Sequence, residues 1–149
     1  LDATNPLAVA AAQTLFSLPY YWSSMRTSVE PGAGPGGVGV VQYESDRPAS
    51  REPRARFVAK YWPIGPCFNA QRGTLDHFLT ERYCLYTTRG GQPLTVDIHH
   101  RPWPLQRAGA ELSVNTMAAA AGVPHGSEAP VLHFAKRLDM VAWPPRNVI

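Results

Sequence analysis

The sequence holds only two lysines, Lys60 and Lys136, and only two cysteines, Cys67 and Cys84. With no C-x-x-C pair and no histidine at finger spacing, the cysteines exclude a disulfide-rich scaffold and a zinc finger. They read as two reduced thiols. Together with the absence of any N-x-S/T site, this places the expectation on a cytoplasmic protein. Long apolar runs are also lacking. The longest, Pro6 to Phe16, is interrupted by Gln13 and Thr14 and falls far short of a membrane span. No basic segment precedes it in this sequence, so it is not expected to act as a signal peptide. Charge is sparse as well, at 17% charged residues and a net +3, which is ordinary for solubility and weak support for nucleic-acid binding. There is no internal repeat.

What is abundant is punctuation. Glycine and proline together make 27 of 149 residues, about 18%, against a usual share of about 12%. That excess predicts many short elements joined by turns and argues against a helical bundle. The hydrophobic share of 44% is ample for a core, and the length suits one domain over residues 1–149.

Asn5 followed by Pro6 predicts a helix start, a capping side chain ahead of a residue whose missing N–H costs nothing there. Strands are expected over Tyr20 to Glu30, from Val38 to Tyr43 and over Pro53 to Trp62, with Pro63 and Pro66 ending the third. Thr74 predicts a short helix carrying Leu75, Phe78, Leu79 and Arg82 on one stripe. Tyr83 to Thr88 and Leu94 to Arg101, joined through Gly90-Gly91, predict a hairpin. Asn115 precedes a small alanine helix that Gly122 ends, and Val131 to Trp143 reads as the last strand. Trp103 and Trp143, framed by prolines, are expected to be largely buried. The resulting fold class is mainly β (α+β) and antiparallel, with about six strands and two or three short helices.

Two motifs read as structure. Gly32, Gly34 and Gly37 spell G-x-G-x-x-G, but the dinucleotide site needs a helix to follow and a strand follows instead, so this is a hairpin loop. Arg47, Arg51, Arg54, Arg56 and Lys60 form a basic cluster, read as a solvated strand face without the interleaved aromatics of a base-stacking platform.

Lys136 is the most informative single residue, because its alternate companions Leu132, Phe134, Leu138 and Met140 are apolar. An amine there either snorkels to a rim or is desolvated, and a desolvated amine can attack a carbonyl to form a Schiff base. Glu81 and His100 are the accompanying catalytic candidates, as proton carriers. His100 also reads as a hydrogen-bonded core histidine, and Glu81-Arg82 as an ion pair tying helix to sheet. Arg82, Tyr83 and Tyr86 are the candidate ligand-binding residues, with Arg82 able to clamp a carboxylate. His99 and His100 point to opposite faces, and His77 with Glu81 has no third ligand, so neither a metal nor a cofactor is expected.

Several words of the sequence occur in a distinctive order: Leu1-Asp-Ala-Thr-Asn-Pro-Leu-Ala-Val, Leu18-Pro-Tyr-Tyr, Phe78-Leu-Thr-Glu-Arg-Tyr-Cys-Leu-Tyr, His100-Arg-Pro-Trp-Pro-Leu and Leu138-Asp-Met-Val-Ala-Trp-Pro-Pro-Arg. Together they resemble the YqjF-like family, an uncharacterised group. The resemblance implies a fold related to acetoacetate decarboxylase, an antiparallel barrel or curved sheet around a pocket. It also implies that this chain corresponds to the C-terminal two-thirds of such a domain and lacks N-terminal strands. Acetoacetate decarboxylases use a lysine beside a second lysine. No Lys-Lys pair exists here, so the activity does not carry over.

Three functions follow as expectations. The first is a soluble barrel-like domain binding a small organic carbonyl or carboxylate ligand. The second is a lysine-dependent decarboxylase or lyase, and the third a non-catalytic protein-interaction module. A small-molecule ligand and a homo-oligomer are the partners left open; nucleic acid and membrane are not expected.

Overall fold

The structure is a computed structural model that describes residues 1–48, 53–123, 126 and 128–148. In chain order it comprises β1 (Asp2–Ala3), α1 (Pro6–Leu15), β2 (Tyr21–Trp22), β3 (Ser24–Glu30), β4 (Val40–Asp46), β5 (Arg56–Phe68), α2 (Leu75–Thr80), β6 (Cys84–Arg89), β7 (Gln92–His100), β8 (Leu105–Asn115), α3 (Met117–Ala120), β9 (His133–Phe134), β10 (Met140–Ala142) and β11 (Arg146–Asn147). Among the described residues the fold is mainly β, with three short α-helices and antiparallel pairing except for the two-residue parallel pair β1–β2.

Local chemistry sets the helix ends. The Asn5 side chain accepts hydrogen bonds from the N–H groups of Leu7 and Ala8 at 2.9 and 3.3 Å, so α1 begins where the sequence predicts. Thr74 caps α2 by accepting from His77 N–H. Gly90 and Gly91 both take positive φ, 56° and 80°, which suits the tight turn joining β6 to β7 and would strain a residue carrying Cβ. The Gly32–Gly37 segment is the loop of the β3–β4 hairpin.

The larger sheet has the order β3-β4-β5-β8-β9, and a smaller one gathers β6, β10 and β11 around β7. Among the described residues no barrel closes, because β3 and β9 form the two ends of the larger sheet and do not pair with each other. The expected barrel is therefore an open sheet here. Strand β8, which the sequence reading passed over, pairs with β5 over most of its length. Strand β5 also runs through Pro63 and Pro66 instead of ending there. Beyond Tyr61 its only paired neighbour among the described residues is β8, so a missing N–H on the other side costs no ladder bond.

The expected last strand, Val131 to Trp143, is divided. Its first part, β9, pairs with β8; its second part, β10, pairs with β7 in the other sheet. Trp143 follows β10 and is 48% exposed, contrary to expectation, because no described layer covers that end of the small sheet. Trp103 is half-buried.

Among the described residues the buried apolar side chains are few: Val9 and Ala12 of α1, Val40, Ala55, Ala59, Leu94, Val96 and Leu105. Beside them lies a buried ion pair. Arg47 donates from Nε and Nη2 to Asp2 Oδ1 at 3.1 and 2.6 Å, and from Nη1 to the Pro53 carbonyl at 2.7 Å. Its guanidinium stacks over Tyr21 at 4.0 Å. The expected basic face is thus not one surface. Arg47 is interior, Arg56 pairs with Glu44 at 2.9 Å, Lys60 is exposed, and Arg51 lies outside the described residues. No helix among the described residues is long and apolar enough to cross a membrane.

Candidate functional site

Alternation along the central strands gives the larger sheet one apolar face. Register places Tyr61 opposite both Val41 and Ala110, and Ala59 opposite both Tyr43 and Leu112. Large side chains therefore meet alanines across the β5–β8 pair, and the volume that alanine leaves unfilled becomes a groove. It measures about 490 Å³ and runs over Phe57, Ala59, Tyr61, Ala108, Ala110 and Leu112, walled by Leu132 to Lys136. Tyr61 and Phe134 approach with ring centroids 6.2 Å apart. Burial, and then the neighbouring Tyr43, raises the Tyr61 phenol above the ordinary tyrosine range.

Lys136 borders this groove, as its apolar companions suggest, but it is exposed. It has no ion-pair partner among the described residues. The arrangement brings a cation to the mouth of an apolar trough and does not enclose the amine.

The other candidates lie elsewhere. His100 is only 4% exposed and borders a separate concavity with Arg101, Pro102, Pro104 and the Arg137–Val141 segment. It and Lys136 therefore do not share a cavity. Its Nδ1 lies 2.8 Å from the Arg101 carbonyl and its Nε2 3.1 Å from the Arg82 carbonyl. Tyr83 stacks on it at 4.6 Å, and Trp103 meets it edge-on at 6.1 Å. Glu81 joins this group by accepting from the Tyr83 hydroxyl and, at 3.4 Å, from the Trp103 backbone N–H. The Glu81 hydrogen bond, then burial, then the carboxylate charge raise the Tyr83 phenol. Trp103 Nε1 is buried with no hydrogen-bond partner among the described residues. The Arg82 guanidinium lies 3.7 Å over the Phe78 ring. Tyr86 is exposed on β6 beside Cys84, whose hydrogen bond and charge raise the phenol.

The sequence reading missed one polar cluster. Asp76, in the first turn of α2, receives Arg107 through Nη1 and Nη2 at 3.1 and 2.8 Å, and lies 2.9 Å from His133 Nε2. Arg107 and His133 are cross-strand partners, and the Arg107 guanidinium sits 5.0 Å from the Phe68 ring. The Arg107 hydrogen bonds and charge, with a smaller contribution from His133, hold the Asp76 carboxyl below the usual aspartate range. Alternation puts Arg107 opposite in direction to Ala108 and Ala110, while His133, which also walls the groove, links the cluster to its rim. Asp76 and His133 are 57 residues apart, and no local pattern joins them.

An open antiparallel sheet with an apolar trough and a single cation at its edge defines the class as a small β-rich domain. The chain belongs to the DUF2071 family, described as an uncharacterized conserved protein, whose model matches residues 1–139. It is 43% identical over 147 residues to the uncharacterized protein YqjF of Bacillus subtilis (strain 168), covering 99% of this chain and 57% of that protein. The chain thus spans somewhat more than half the length of this curated relative. No solved structure matches it.

Proposed function

We propose that this domain binds a small organic molecule with an apolar body and one carboxylate or carbonyl, laid in the groove between β5, β8 and β9. The observation that carries this reading is Lys136, without an ion-pair partner among the described residues, at the edge of an otherwise apolar depression. Its size of about 490 Å³ falls in the range of ligand sites, roughly 300–1,000 Å³. The apolar floor supplies affinity by releasing water, and Lys136 selects the ligand's anionic or polar end. The antiparallel sheet with one concave apolar face also supports the proposed relationship in fold to acetoacetate decarboxylase. Lys136, not His100 or Glu81, is the residue this reading places at the ligand.

Calorimetric titration with a panel of aliphatic and aromatic monocarboxylates and ketones tests it. Saturable binding is expected, weakened roughly tenfold to a hundredfold by Lys136→Gln through loss of one charged hydrogen bond. Ala110→Leu, which fills the floor, should abolish binding. No saturation across the panel, or equal affinity in Lys136→Gln, overturns the proposal.

The lysine-dependent lyase shares the same residue, since an accessible amine at a ligand's carbonyl is what a Schiff base requires. Borohydride treatment with the carbonyl members of the panel separates the two readings. A reduced adduct mapped to Lys136 supports covalent chemistry, whereas binding without an adduct supports a binding module.

A further inference from the structure

We propose that Tyr61 is the second anchor of the groove and that its ligand is an oxo acid. The carboxylate is held at Lys136 and, across an apolar spacer, a carbonyl accepts a hydrogen bond from the Tyr61 hydroxyl. This rests on the groove being the ligand site and names what that ligand must carry. Of the side chains lining the groove, only those of Tyr61, His133 and Lys136 bear polar atoms. His133 is already engaged, with Nε2 at 2.9 Å from Asp76 Oδ1 and 3.0 Å from Arg107 Nη1. Lys136 stands at the rim. The Tyr61 hydroxyl makes no hydrogen bond among the described residues. Tyr43 differs, since its hydroxyl donates to Met25 Sδ at 3.4 Å.

The sheet fixes where Tyr61 lies. Strands β5 and β9 are two strand spacings apart, about 9.6 Å, yet the Tyr61 and Phe134 ring centroids are 6.2 Å apart. The two rings therefore lean toward each other over β8, where Ala108 and Ala110 leave them room. A ligand laid against this floor takes water away from the phenol. A hydroxyl stripped of water must find a partner within the complex, so a wholly apolar body is penalised there. Burial, with Tyr43 beside it, also favours the protonated phenol, which suits it to donate to a neutral carbonyl. The ligand's charged end is better served by the Lys136 ammonium. Tyr61 rises from β5 and Lys136 from just beyond β9, so the ligand's two polar groups are separated by several bonds.

Calorimetric titration of the 149-residue chain with β-benzoylpropionate and γ-phenylbutyrate tests the assignment. These acids share one carbon skeleton and differ by a single carbonyl. The keto acid is expected to bind roughly tenfold to a hundredfold more tightly. Tyr61→Phe keeps the ring and its contact with Phe134. It should erase the advantage by weakening the keto acid, with γ-phenylbutyrate bound as by the parent. Tyr43→Phe should retain the advantage. Equal affinities in the parent, or an advantage that survives Tyr61→Phe, overturns the Tyr61 assignment, while weakening of both acids by Lys136→Gln leaves the groove reading in place. If neither acid binds while other members of the carboxylate and ketone panel do, the oxo-acid inference fails alone. If nothing in the panel binds, both fail together.

Discussion

Trp62 covers the backbone of Gly109, its direct partner across the β5–β8 pair. A Cβ built on Gly109 would lie 2.6 Å from the indole Nε1 and Cε2, so only glycine admits the ring there. An aromatic side chain laid over a strand glycine supplies the cover that the glycine lacks. Gly109→Ala should cost about 1–3 kcal/mol by overpacking, and less in a Trp62→Ala background. Urea denaturation of the two single variants and the double variant checks this coupling.

The Asp2–Arg47 pair ties the first residues of the chain to the end of β4, with side chains only 4% and 5% exposed. Asp2→Asn leaves a guanidinium buried without its counter-ion and should cost about 3–5 kcal/mol in urea denaturation. Replacing both partners, Asp2→Leu with Arg47→Met, should recover much of that loss. A single variant as stable as the parent would show that the pair holds nothing.

Asp76 should give the molecule a specific acid sensitivity. Its folded carboxyl titrates below the ordinary range, which for an unfolded aspartate is about 3.9. The stabilisation is therefore complete above the unfolded value and is lost as pH falls through the folded one. The difference in urea midpoint between the parent and Asp76→Asn should be steady from neutral down to about pH 5 and shrink below that. A difference that grows on acidification would contradict the Arg107 assignment.

His100 should behave as an interior tie. Diethyl pyrocarbonate followed by peptide mapping should modify the exposed His99 in the native protein and spare His100. His100→Leu should cost about 1–3 kcal/mol because the ring N–H that donates to the Arg82 or the Arg101 carbonyl is lost. Modification of His100 at the rate of His99 would sink this reading.

Features encoded within a few residues were legible in the sequence. Asn5-Pro6, Thr74 and Gly90-Gly91 each act on neighbouring backbone groups, and each lies at the predicted boundary. Strand β8 escaped, although Gln106, Ala108, Ala110, Leu112 and Val114 do alternate with Arg107, Gly109, Glu111 and Ser113. Alanine and glycine are poor strand formers, and the pairing with β5 overrides that preference. The split between β9 and β10 escaped for a different reason. Alternation reports which side of a strand is apolar and does not say which sheet it joins. The groove was legible in part, through the apolar companions of Lys136, but its alanine floor required β8.

Among the described residues, strand β5 is flanked on both sides from Phe57 to Tyr61 and on one side only from Trp62 onward. Its amides should consequently divide into two populations in deuterium exchange, the first stretch slowest in the sheet and the proline-bearing stretch quicker. The larger sheet would then loosen from the Phe68 end, where α2 and the Asp76 cluster sit, while the strands nearest the amino terminus remain zipped.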